Sequence, residues 1–175
     1  MNPISSRLKA VAITALFFAV SALCLLAVIW GLAALPFFVP GQTALQAYRP
    51  HDTVAMLSDL RLPVALSAAF LIAMAIVLVF ASAYLDRMIA IFADVLLMTM
   101  AALAGFVAGY WLLLRLAGFN NFIAWEFVQM AMICPVVVFC VSLIAPARVR
   151  ASVLARVGLI VVLVVAAPAL LIALP

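Results

Sequence analysis

Residues 88–114 read MIAIFADVLLMTMAALAGFVAGYWLLL, twenty-seven positions with a single charged side chain, Asp94. An α-helix rises about 1.5 Å per residue, so about 20 such residues cross the hydrocarbon of a bilayer. The run therefore reads as a membrane span, and it decides how the rest of the chain is read.

Outward from it, the same pattern recurs. Apolar runs occupy residues 10–36, 63–85, 122–145 and 155–175, each bounded by charge or by helix breakers. Pro36 and Pro40 close the first run, Pro63 suits the first turn of the second, and Asp86–Arg87 reads as a tight turn before the third. Gly118, Asn120 and Asn121 separate the third from the fourth, where Pro135 predicts a kink. The last run contains Pro168 and either spans or lies at the interface. The expected fold is an all-α integral membrane protein, a bundle of about five transmembrane helices, four plus the C-terminal one. Residues 1–175 form a single transmembrane domain, with 41–62 as an outer loop.

Composition agrees: of 175 residues, 73% are hydrophobic and 8% charged, against roughly a quarter charged in soluble domains. The basic start, Met1 to Lys9, resembles a secretory leader, but the run after it is far longer than the roughly 7–15 residues of a leader's apolar region. It reads as a retained first helix.

The net charge is +4, and a soluble protein so charged raises the question of nucleic acid. Here the cations flank the apolar runs, where they set orientation, and no nucleic-acid partner is expected. A cytoplasmic N-terminus puts Arg7, Lys9, Arg87, Arg148, Arg150 and Arg156 inside and leaves Arg49, Arg61 and Arg115 outside. It also brings Trp30, Trp111 and Trp125 to the outer interface, as an aromatic belt requires. The expected location is the bacterial inner (plasma) membrane, multi-pass, with the N-terminus cytoplasmic and the C-terminus outside.

Ionisable groups inside spans are costly and raise functional hypotheses. Asp94 shares a helical face with Arg87, Met98, Ala101, Gly105 and Gly109; Glu126 shares one with Gln129, Met130, Ile133 and Cys140. The simpler reading of each acid is structural, Asp94 paired with Arg87 or another cation and Glu126 with Arg115. Near opposite faces of the membrane, they are too far apart to act as a pair; Thr99 and Gln129 are the polar steps between them. Ala101, Gly105 and Gly109 form a small-residue helix-packing seam with a GxxxG step. Similar ladders occur at Ala65, Ala69 and Ala73 and at Ala27 and Gly31, and Ala15 and Ala19 also lie four apart.

Other chemistry is sparse. Cys24, Cys134 and Cys140 fall inside apolar runs and read as buried thiols. Cys134–Pro135 has no second adjoining cysteine of the kind soft-metal sites use, so no metal site is expected. His51 is the sole histidine, which excludes two axial histidines for a membrane haem. Arg49, His51 and Asp52 cluster in the outer loop, where solvated surface is the simpler reading and lipid chemistry the sharper one. No catalytic or nucleotide-binding motif occurs. No cofactor is expected, although the grooves of such a bundle are open to lipid, quinone or pigment.

The expected function is an accessory or structural subunit of a larger bacterial membrane complex, packing through small-residue faces, with membrane lipid and other subunits as partners and no catalysis of its own. The alternative is a small transporter or permease component in which Asp94, Glu126 and Gln129 line a cavity.

Overall fold

The computed structural model describes residues 3–36, 43, 61–80, 82–116, 118 and 125–173. Among them the chain is helical, with no strand: α1 (Pro3–Ala33), α2 (Arg61–Val79), α3 (Ala83–Leu116), α4 (Trp125–Ser142), α5 (Pro146–Arg150) and α6 (Val153–Ala173). The all-α fold stands. The outer loop, with Arg49, His51 and Asp52, lies almost wholly outside the described residues.

Four helices are long and apolar enough to cross a membrane, over Ile4–Ala33, Arg61–Val79, Ala83–Leu116 and Val153–Ile172; α4 adds a shorter apolar stretch, Ala131–Ser142. The C-terminal segment is thus one of the four, continuous through Pro168 over 21 residues, and the fourth helix is the short one. Lipid-exposed backbone must satisfy its own polar groups, which favours unbroken helix in such apolar runs.

The turn between the second and third runs also differs from expectation. It lies between the end of α2 at Val79 and the start of α3 at Ala83, not at Asp86–Arg87. The Ser82 carbonyl accepts the Asp86 N–H at 3.1 Å, which puts Ser82 at the N-cap, a position that serine favours. Asp86 then falls in the first turn of α3, where the positive end of the helix dipole suits a carboxylate.

The chain forms two compact units, one of Met1–Asp59 with Ala101–Ile123 and the other of Leu60–Met100 with Ala124–Pro175. Helix α3 contributes to both. In the first unit, α1 lies on the C-terminal part of α3. A side chain at Gly105 would overlap the Ala15 carbonyl, and one at Gly109 would collide with Ala19, whose Cα and carbonyl carbon lie 3.0 Å from the position a Cβ would take. The two backbones touch because neither glycine holds them apart. Beyond this seam Leu26, Tyr110 and Leu114 form a buried cluster, flanked by Trp30 and Leu113.

In the second unit α2 packs against α4 and α6. Its buried stripe includes Val64, Ser67, Leu71, Ala75 and Leu78, a helical spacing of three and four. Cys134 and Val138 of α4 and Leu163 and Ala167 of α6 are buried too. The Phe70 and Phe92 rings meet at 5.9 Å. The rest of α6 is largely exposed, including Val157, Val161, Val164 and Val165, as a lipid-facing surface should be.

Candidate functional site

The polar centre of the second unit grows from an ordinary deficit. The last four carbonyls of a helix lack intrahelical donors, and α2 has no basic residue in its last turn to supply one. The Ile76 carbonyl takes the Phe80 N–H at 3.1 Å. The Val77 carbonyl accepts from Arg150 Nη2 at 3.0 Å, and the Val79 carbonyl from Arg156 Nη2 at 2.6 Å. Both caps come from more than seventy residues away. Guanidinium groups suit the negative end of a helix dipole and hydrogen-bond its open carbonyls.

Arg150 also binds the carboxylate of Asp86 through both terminal nitrogens, Nη1 to Oδ2 at 3.2 Å and Nη2 to Oδ1 in a shorter contact. The pair is bidentate and mostly buried, with 14% of the Arg150 side chain and 24% of Asp86 exposed. Such geometry is stronger than an exposed ion pair, since it adds direction to charge. One guanidinium therefore joins the C-terminal end of α2, the first turn of α3 and the connection between α4 and α6. Nε of Arg150 is buried without a hydrogen-bond partner among the described residues.

Local sequence places the two arginines. Pro146 opens α5 after an extended Ala145, using the missing N–H where a helix start does not need it. The Ser152 carbonyl receives the Arg156 N–H at 3.0 Å and its hydroxyl accepts the Ala155 N–H at 3.4 Å, starting α6 with a serine cap.

Beside the ion pair lies a crevice of about 210 Å³, lined chiefly by Phe70, Met74, Ile89, Ala93 and Leu143, with Asp86 as its one charged wall. Asp94 and Gln129 are half-buried in the same unit, but neither lines this crevice. Glu126 lies in the first turn of α4, and its side chain is outside the described set. Thr99 is exposed, and its hydroxyl bonds the Val95 carbonyl at 2.9 Å, so it is engaged with its own helix. Cys134 is fully buried and hydrogen-bonded with Ser67, whereas Cys24 and Cys140 are exposed, which corrects the expectation of three buried thiols.

Ala101, Gly105 and Gly109 are all buried, as the seam predicts. Ala15 and Ala19 meet these glycines, whereas the remaining two ladders face outward. Ala65 and Ala69 on α2 and Ala27 and Gly31 on α1 are exposed, with Ala73 half-buried. The Asp86–Arg150 pair was not read from the sequence. Its signal was there: an acid at one turn and a basic connection assigned to the same membrane face.

Fold and site together define a class, an all-α protein of membrane-spanning helices with one helix end tied down by distant arginines. In comparisons with known proteins, no family model, no curated protein and no solved structure matches the chain.

Proposed function

We propose that this chain is a structural, non-catalytic subunit of a larger bacterial membrane complex, held in the inner membrane with its N-terminus in the cytoplasm. The observation that carries the reading is the outward placement of two small-residue steps, Ala65 with Ala69 on α2 and Ala27 with Gly31 on α1. A side chain at Gly31 would meet nothing within 4 Å. The Gly105–Gly109 seam is filled within the chain, so these remaining steps are where a neighbouring helix has room to approach closely. The orientation draws support from Arg150 and Arg156, which hold the 146–156 connection at the Asp86 end of their unit. The orienting cations Arg87, Arg148, Arg150 and Arg156 then share a face.

Blue-native electrophoresis after mild solubilisation tests the proposal. A high-mass band that shifts to the monomer on Ala69→Leu, with thermal stability retained, is the expected result. A lone monomer of the unaltered chain, with nothing co-purifying, overturns it. The transport reading has less behind it, since the crevice is not lined by Asp94 or Gln129. Flux in proteoliposomes that depends on Asp94 would revive it.

A further inference from the structure

We infer that the crevice beside the Asp86–Arg150 pair is a binding site for an anionic phospholipid, one acyl chain lying in the crevice and the headgroup phosphate held at its mouth by Arg87 and Arg148. The volume holds a segment of such a chain. At about 210 Å³ the space exceeds the roughly 150 Å³ apolar cavity that accepts a benzene ring. Its walls, Phe70, Met74, Ile89 and Leu143, are hydrocarbon, and in a bilayer the chemistry at hand to fill such a groove is an acyl chain.

Charge selects the headgroup. The segments that form this end, 77–87 and 146–156, carry four arginines against one aspartate. Arg150 is taken up by Asp86 and Val77, and Arg156 by Val79. That leaves Arg87 and Arg148, whose guanidinium groups have no partner among the described residues. Both neighbour lining residues along the chain: Arg87 follows Asp86 directly, and the Arg148 N–H bonds the carbonyl of Ala145, a crevice residue, at 3.0 Å. Both Arg148 and Arg87 are exposed. Asp86 does not repel a phosphate there, because Arg150 already neutralises it. Basic clusters at the ends of membrane helices recognise anionic headgroups in this way, at about fivefold in affinity per cation near the surface.

The test uses the full chain, purified in detergent and delipidated, then titrated with phosphatidylglycerol or phosphatidylcholine of identical acyl chains and read by native mass spectrometry. Phosphatidylglycerol is expected to bind at least tenfold more tightly. Arg87→Gln with Arg148→Gln should abolish that preference, a loss of about thirtyfold for two cations. Ala90→Phe, which fills the crevice from an exposed position, should weaken both lipids while leaving the melting temperature unchanged. Equal affinity for the two lipids, or a preference that survives the double arginine variant, overturns the headgroup assignment. Undiminished binding in folded Ala90→Phe overturns the crevice.

Discussion

Gly105 and Gly109 show how little material a membrane seam needs. The hydrogen on each Cα is what lets α3 touch the backbone of α1, and a methyl group at either position meets the Ala15 or Ala19 main chain. Backbone atoms cannot swing aside as a flexible side chain does. Gly105→Ala or Gly109→Ala should therefore destabilise the protein by about 1–3 kcal/mol, the usual cost of overpacking. Gly31→Ala should leave stability unchanged or raise it by up to about 1 kcal/mol through helix propensity. Thermal denaturation in one detergent compares all three. Arg150 is the second such residue. Arg150→Ala strips two partners from Asp86 and one from the Val77 carbonyl in a mostly buried place, a loss of about 3 kcal/mol. Arg148→Ala, at an exposed position, should change stability by less than about 0.5 kcal/mol. Equal losses at both positions would show that charge near the membrane matters and the capping geometry does not.

At the scale of the element, α3 carries the most information. Its 34 residues make a rod of about 51 Å, well over the roughly 30 Å of hydrocarbon. Asp86 and Arg115 are about 44 Å apart along it by the same rise, close to the roughly 40–45 Å thickness with headgroups included. Both ends therefore fit the polar layers, Arg115 with its guanidinium 5.7 Å from the centre of the Trp111 ring. Asp94, eight residues from Asp86, then lies only about 5 Å inside the hydrocarbon edge. At that shallow depth an acid costs less than it would at the centre of the bilayer. In a chain with its cysteines replaced, Tyr84→Cys and Ala151→Cys should react with an impermeant maleimide from one side of the membrane and Leu116→Cys from the other. Tyr84 and Ala151 labelling from opposite sides would sink both the orientation and the arginine caps.

For the whole molecule, the spans and the Gly105–Gly109 seam were legible because length in hydrocarbon and close backbone approach each demand a particular residue pattern. The break between α2 and α3 was misplaced, since a charged pair, Asp86–Arg87, looks like a loop until Ser82 is seen to cap the helix ahead of it. Which small-residue ladder faces inward was not legible either: Ala65 and Ala69 match the pattern of the seam as well as Ala101 and Gly105 do, and only the packed stripe through Val64, Ser67 and Leu71 tells them apart. The arginine caps required knowing which loops meet. A chain ended after Ser142 should consequently accumulate several-fold less by immunoblot, its α2 carbonyls and Asp86 left without donors, and co-expression of residues 143–175 should restore it. The pairing of α1 with α3 bears on biosynthesis as well. Ala15 and Gly105 are ninety residues apart, and at roughly 5–20 residues per second a ribosome needs about 5–20 s to make the second after the first. Having no charged side chain between Ala10 and Ala33, the first helix can wait out that interval alone in lipid until its glycine-bearing mate is inserted.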